Sequence, residues 1–549
     1  MDKRTLLAVA LTMIVITAYP LFLKKITPVP PQSNEEALSS LGAGQTDVVM
    51  PQQIAKTEVM IPLEVPVVSF IKENEEVIDT EKFEVVFSNI GGAINRITLK
   101  EYGAYGEDAP LIISEPEERE KKIFSFKGLM GRLYPDAPYE MSGRTKDSIT
   151  YTYTIRGNIY VKKEFLVHNS NNNIELNLEV KNTSTGYLPF DYQLLGPSGI
   201  TIDQKLDNRF VEAMLLPKAA DGKIEKTRPG SIKAEYARSN TDFTWLATKN
   251  KYFSTFLIPY NVIDYAYFSR VKARGNDSIA AGVGVGPVTI GPGETFSHGY
   301  LLYVMPNKVG LLKAEGHDLD KAVSYGFFGG ISKVLISVLN FFFRLTHNYG
   351  VSIILLTICV SLLLYPFTSK SVRSMKEMQR IQPLVEELRV KHKDSPQKMN
   401  KELMALYKEH KVNPLGGCLP MLFQMPVFIA LYQGLVNTVE LRGASFLWIK
   451  DLSGPDKAFQ LPGGVSIPVL GSYINILPLI MMCTMFLQQK LYASKSATGQ
   501  QAEQQKMMAV MMPLMFGFMF YSLPSGLVLY WLTNMIIMAG IQVYTLKHD

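Results

Sequence analysis

The chain has 549 residues, 47% of them hydrophobic and only 19% charged, with a formal net charge of +6. That length excludes a single ordinary domain, and so small an excess of positive charge argues against wholesale nucleic-acid binding. Cys359, Cys418 and Cys483 lie in apolar runs without zinc-ligand or CxxC spacing. They read as small buried hydrophobes, with no disulfide framework and no metal site.

Residues 5–23 are nineteen positions without a charge, preceded by Lys3 and Arg4. At about 1.5 Å per residue they cross a hydrocarbon core of about 30 Å. No small-residue cleavage pattern follows, so 1–25 reads as an uncleaved transmembrane anchor. Residues 26–66 mix prolines with Gln, Ser and Glu, a composition that buries too little apolar area to offset its ordering entropy. They read as a flexible periplasmic linker.

From 67 to 315 the apolar period changes to two. Ile149, Tyr151, Tyr153 and Ile155 alternate with threonines, and the runs 160–167 and 174–180 follow turn-forming residues at 156–158 and 169–173. Gly91-Gly92 separates two further strand-like runs. Many short strands at this spacing predict an all-β sandwich. Gly282-Val283-Gly284-Val285-Gly286 opens no helix and precedes Pro287, so it reads as a loop or turn and not as a dinucleotide site.

Residues 316–346 carry Ile331, Val334, Leu335, Val338, Leu339 and Phe342 on one helical face, with Lys333, Ser337 and Arg344 elsewhere. That pattern suits a helix lying in the membrane interface. A core helix of the β-domain is the blander alternative.

The region 347–549 holds the remaining apolar runs: 351–368, 415–439, part of 465–489, and 507–546. The last is forty residues, about 60 Å of helix, and Leu523-Pro524-Ser525-Gly526 divides it into two spans with a tight turn. Five spans and the anchor make six. Between the second and third spans, residues 369–414 carry eleven Lys and Arg against six Asp and Glu, which assigns this loop to the cytoplasm. Counting crossings puts both termini inside and the β-domain outside. Lys24 and Lys25 alone oppose that orientation.

The loop itself is patterned. Met375, Met378, Ile381, Val385 and Leu388 form one stripe and Met399, Leu403 and Leu406 another, as in an antiparallel helical hairpin. Its outside, with Arg380, Arg389, Lys391, Lys393 and Lys398, suits docking to a ribosome, lipid headgroups or a nascent chain. A merely solvated hairpin explains the same charges.

No GxxxxGK[ST], HExxH or GxSxG occurs, and the uncharged runs hold no Asp or Glu. Nucleotide hydrolysis, cofactor chemistry and proton-coupled transport all lose ground on this count. The spans do carry uncharged polar groups, among them Thr357, Ser361, Gln424, Gln433, Asn437, Thr484 and Asn534. Each is unfavourable against lipid, so they form interhelical bonds or line a wet hollow. Methionines crowd 481–485 and 507–519, as adaptable apolar surfaces or as gap-fillers.

Residues 411–420, Lys-Val-Asn-Pro-Leu-Gly-Gly-Cys-Leu-Pro, followed by Gln424-Met425-Pro426-Val427-Phe428, resemble the third-span signature of the YidC/Oxa/Alb family of membrane-protein insertases. Residues 523–531, ending in Tyr530-Trp531, are similar to that family's last hairpin, and Tyr365-Pro366-Phe367-Thr368 to the end of its second span. The layout matches the Gram-negative form with a large periplasmic domain. The resemblance implies an α-helical membrane protein of six transmembrane helices with a periplasmic β-sandwich, located in the bacterial inner membrane. It implies insertion of nascent membrane proteins, alone or with the Sec translocon, through a hydrophilic groove, with neither nucleotide hydrolysis nor a cofactor.

By position, Thr357 matches a groove threonine, and Gln424, Met425, Pro426 and Phe428 match the substrate-facing third span. Two departures stand out. Ser361 occupies the position of the family's groove arginine, and Trp531 that of the tyrosine after Tyr530. A substrate-specific transporter or channel is the alternative, and it requires a coupling charge that the spans lack. An enzyme sited in the β-domain requires a catalytic pair, and none is apparent there.

Overall fold

The structure, a computed structural model, describes residues 72–548 apart from 104–109, 130–135, 156–157, 170–171, 203–204, 219–221, 233–235, 240–241, 393–394, 411, 413–418, 463–471 and 493–498. The expected anchor and linker over 1–66 lie outside the described residues, as does Lys393.

Alternation makes the first half of the chain into sheets. Strand Ser148–Ile155 buries Ile149, Tyr151 and Ile155 and pairs antiparallel with Ile159–His168, which pairs with Asn173–Asn182. These belong to a nine-stranded sheet whose inner face shares one apolar core with a five-stranded and a four-stranded sheet. Phe87 of the four-stranded sheet and Phe165 of the nine-stranded sheet have ring centroids 5.1 Å apart. The hydroxyls of Tyr192 and Tyr300 hydrogen-bond across the sandwich. Gly91 and Gly92 form the turn before strand Ala93–Gly103 with φ of 77° and 49°, a region closed to most side chains.

The glycine run at 282–286 is not a loop. It lies inside strand Asn276–Ile290, where Gly282 pairs with Tyr267 and Gly284 with Tyr265. A Cβ at either glycine would strike the ring of its cross-strand tyrosine, so the glycines make room for aromatic cover.

One basic residue sits in this apolar core. Lys163 is fully buried and donates to the carbonyls of Gly91 (2.7 Å) and Phe124 (2.6 Å), with its ammonium 4.3 Å from the centre of the Phe126 ring. Burial holds its amine well below the usual lysine range. The outer face of the nine-stranded sheet is covered separately. Trp245, Phe256 and Met305 pack under Leu312 of helix α1 (Val309–Glu315) and under the 3-10 turn Leu319–Ala322.

The second half is helical: α2 (Gly329–Thr346), α3 (Tyr349–Lys391), α4 (Pro396–Glu409), α5 (Leu419–Asn437), α6 (Ile476–Tyr492), α7 (Gly499–Phe520) and α8 (Ser525–His548). By length and composition α2, α3 and α8 could each cross a bilayer, and 476–489 and 509–520 are shorter apolar stretches. Helix α2 buries Ser332, Leu335 and Leu339 against the bundle, while Ile331, Val334, Phe341 and Leu345 stay exposed on its other side.

Helix α3 departs from the sequence reading, which ends the second span at 368 and begins a separate hairpin at 369. It runs unbroken for 43 residues, through Pro366 and Pro383, from the apolar bundle into the basic region. Each proline removes one backbone donor. The rows of bonds on either side carry the helix past it. Cys359 and Cys483 are exposed on the bundle and not buried as expected, because in a membrane bundle apolar side chains also face outward to lipid.

Candidate functional site

Helices α3 and α8 run side by side along a polar seam. Ser361 Oγ donates to Asn534 Oδ1 at 3.3 Å. Further along the same pair of helices, Thr368, Ser371, Gln542 and Thr545 are all buried. Thr357, one turn before Ser361, is fully buried and donates back to the carbonyl of Ile353 at 2.6 Å. That bond satisfies the hydroxyl within its own helix.

A second neutral pair closes from the other side. Gln424 Nε2 of α5 donates to the Tyr530 hydroxyl of α8 at 2.5 Å, and Tyr530 is wholly buried. Its neighbour Trp531 turns to a different environment. The indole ring lies 5.0 Å from Phe428, 5.2 Å from Phe520 and 5.9 Å from Phe516, so α5, α7 and α8 meet around an aromatic cluster. Met425 is 42% exposed, and Pro426 lies inside α5.

The structure therefore brings Ser361, Gln424, Tyr530 and Asn534 into two bonded pairs, and places Phe428 with Trp531. It does not bring every polar group of the spans together. Gln433 lies against Gly326, beside the β-domain end of the bundle, and Asn437 donates to the Gln433 carbonyl at 2.7 Å. Thr484 bonds back to the carbonyl of Ile480. The methionines divide as well: Met481 and Met485 fill the bundle core, whereas Met511 and Met519 are exposed on α7.

Below the bundle, α4 folds back along the end of α3. His392 Nε2 and Glu402 Oε2 are 2.9 Å apart, and Ile381, Gln382 and Val385 are buried. Arg380 pairs with Glu377 at 2.8 Å, and Arg389, Lys391 and Lys398 are exposed.

The opposite end holds a group that the sequence reading missed. The loop between α5 and α6 ties the helix ends together. Ser525 N donates to Gly454 O (2.7 Å) and Gly526 N to Leu452 O (2.9 Å), which satisfies two orphan amides at the start of α8. Asp451 Oδ1 accepts from Gly443 N (3.1 Å) and Ser453 N (2.8 Å) and so shapes the loop. Asp456 Oδ2 accepts from Leu477 N at the start of α6, and Asn475 Nδ2 donates to Tyr521 O (2.7 Å) just past α7. Gly350, at the start of α3, lies against the Phe446 ring where no side chain would fit. The signal was present as turn chemistry in Asp451-Leu-Ser-Gly-Pro-Asp456.

Two family profiles cover this arrangement: the YidC periplasmic domain matches residues 76–338, and the 60Kd inner membrane protein family matches residues 341–549. A membrane protein insertase YidC of Citrifermentans bemidjiense is 33% identical over 100% of this chain and 99% of that relative. One of Pelobacter propionicus is 34% identical over the same shares of both chains. The chain belongs to the YidC family of membrane protein insertases. The crystal structure of an active YidC insertase with its first transmembrane domain resolved is similar over 86% of this chain and 93% of that one, at 20% identity and a TM-score of 0.37.

As a YidC family member the chain is a membrane-protein insertase, and its β-sandwich is the periplasmic domain. The loop that ties the helix ends lies at the end of the bundle that meets this β-sandwich. No cluster of three or more His, Cys, Asp or Glu fit to hold a metal occurs among the described residues.

Proposed function

We propose that substrates enter along a neutral polar groove formed by α3, α5 and α8, and that no nucleotide is consumed. The supporting observation is the pair of side-chain bonds, Ser361–Asn534 and Gln424–Tyr530, set among otherwise apolar helices. Buried polar groups of this kind can exchange bonds with the polar flank of an incoming helix and shorten its dry path. Ser361, Thr357 and Gln424 supply polarity, and Met425, Pro426, Phe428, Tyr530 and Trp531 supply apolar contact along the third and last core spans.

The substrate supplies the driving force. A helix of about 20 strongly apolar residues gains roughly 6–12 kcal/mol on entering lipid, while each charged flanking residue costs about 2.5–3.5 kcal/mol near mid-membrane. The membrane potential contributes about 2.3 kcal/mol per negative charge moved outward per 100 mV. With Ser361 in the groove, no fixed cation competes for an acidic flank. Acidic and neutral flanks then differ through their cost of leaving water and through this potential, with no attraction to a groove cation added.

In this reading the chain makes six crossings of the bacterial inner membrane with both termini cytoplasmic. Its divisions are an anchor to 25, a linker to 66, the periplasmic domain to 315, an interfacial helix to 346 and the insertase core beyond. The basic hairpin at 369–414 docks ribosomes or anionic lipid, and the protein works alone or beside the Sec translocon. Photo-crosslinkers at Met425 and Ser361, tested on a stalled nascent membrane protein, check the groove. Adducts at both positions are expected; adducts at neither, with crosslinking from lipid-facing Leu487 instead, would move the substrate path elsewhere.

A further inference from the structure

The periplasmic domain grips the loop that ties the helix ends. Lys251, in the turn between strands Phe243–Lys249 and Phe253–Pro259, reaches out of the sandwich and donates to the carbonyl of Ser453 at 3.3 Å. Its other partner is Asp207 Oδ1 at 3.5 Å, and the two side chains are only 8% and 12% exposed. Lys308, just after the last strand, pairs with Glu440 at 2.9 Å. Between these points Val439, in the 3-10 turn just past α5, packs in the apolar core of the β-domain itself.

Ser453 is flanked by Leu452 and Gly454, whose carbonyls hold the first amides of α8. The same loop touches the starts of α3 and α6 and the end of α7. A side chain of the β-domain is thus one residue away from the bonds that fix the last span.

We propose that the periplasmic domain is a clamp on the bundle: through Lys251, Lys308 and the pocket for Val439 it holds the 440–456 loop, and that loop keeps the periplasmic ends of α3, α5, α6 and α8 closed together. The assignment does not depend on how substrates use the groove. An exposed ion pair such as Lys308–Glu440 contributes little alone. Lys251 contributes more, because its ion pair with Asp207 is shielded from water and the same ammonium holds the Ser453 carbonyl. The clamp acts by suppressing local opening, a motion that can be far easier than global unfolding.

Hydrogen exchange of the full-length protein in vesicles tests it. Lys251→Met is expected to speed exchange in 440–456 and in the first turn of α8 about tenfold. Lys308→Glu is expected to speed it about twofold, and Lys308→Glu combined with Glu440→Lys to restore the original rate. Exchange in strand Ile159–His168 reports whether the sandwich itself stays folded. Unchanged exchange in the loop, a reversed pair that fails to restore it, or equal acceleration in the 159–168 strand would each overturn the clamp.

Discussion

Ser361 Oγ and Asn534 Oδ1 lie 3.3 Å apart, which joins the first and last core helices by a bond between two uncharged side chains. That distance is long for a hydroxyl donor, whose optimum is about 2.7–2.8 Å. A bond of this length sits at the weak end of the range of roughly 0.5–1.5 kcal/mol for net hydrogen-bond stabilisation. Ser361→Ala is therefore expected to lower insertion into reconstituted vesicles by no more than about twofold. Complete loss of insertion would show that this hydroxyl does something that general polarity does not.

Gln424 and Tyr530 allow stability to be separated from function. Tyr530→Phe alone leaves the half-buried Gln424 amide beside a ring with no acceptor, a loss at or below the low end of the roughly 1–3 kcal/mol that stranding a fully buried donor costs. Replacing both partners by apolar groups of similar shape is close to neutral. Tyr530→Phe should therefore melt at lower temperature, and Gln424→Leu combined with Tyr530→Phe should recover the melting temperature. Insertion should fall in both variants, because both lack the polar pair. Full activity in the double variant would show that the pair serves packing alone.

The basic arm of α3 and α4 makes a separate prediction. Lys391 and Lys398 are exposed, and sequence places Lys393 between them. Reversal of all three to Glu changes the local charge by six, where each Lys near an anionic surface contributes about 1 kcal/mol. Co-sedimentation with ribosomes or anionic vesicles should weaken sharply at low salt and less at high salt. Binding that stays equal to the parent on both surfaces would remove docking from the hairpin.

Much of this architecture was legible in the sequence because periodicity reports burial directly. The strands around Tyr151 and Ile174 and the apolar helices Leu419–Asn437 and Ser525–His548 fall where their patterns place them. The glycine run at 282–286 misled, since a residue without a side chain gives no periodicity and its reason lies on the neighbouring strand, in Tyr265 and Tyr267. The length of α3 was hidden for another reason: an apolar run marks where a helix meets lipid and not where it stops. Which polar groups pair was not legible at all. Gln424 and Tyr530 are 106 positions apart, and no local rule connects them. The hold of Lys251 on Ser453 spans 202 positions and is purely tertiary.

Lys163 is a core residue that reads as a surface one. Its ammonium, on the nine-stranded sheet, satisfies the carbonyl of Gly91 in the four-stranded sheet's turn and that of Phe124, just before strand Phe126–Leu129 of the five-stranded sheet. Lys163→Met matches its length but leaves both carbonyls buried without a donor, a loss of about 1–3 kcal/mol. Faster hydrogen exchange in strand Ile159–His168, with the helices unaffected, is the expected reading. No change in that strand would mean that the buried amine is neutral to stability.

His298 makes the periplasmic domain sensitive to acid. Its Nδ1 lies 2.7 Å from the Tyr192 hydroxyl and its ring 4.3 Å from that of Phe296. Burial pushes its pKa down from 6.5 to about 4, against a smaller opposing pull from Asp264. Above pH 6.5 the ring is neutral in both folded and unfolded chains and the full stability is present. As the pH falls from 6.5 towards 4, the unfolded chain takes up a proton that the folded domain refuses, so stability declines through this window and levels off below it. His298→Gln, which keeps a polar partner for Tyr192 without a titrating ring, should flatten that decline in thermal melts followed by tyrosine absorbance. An unchanged slope between pH 6.5 and 4 in the variant would assign the acid sensitivity to other groups.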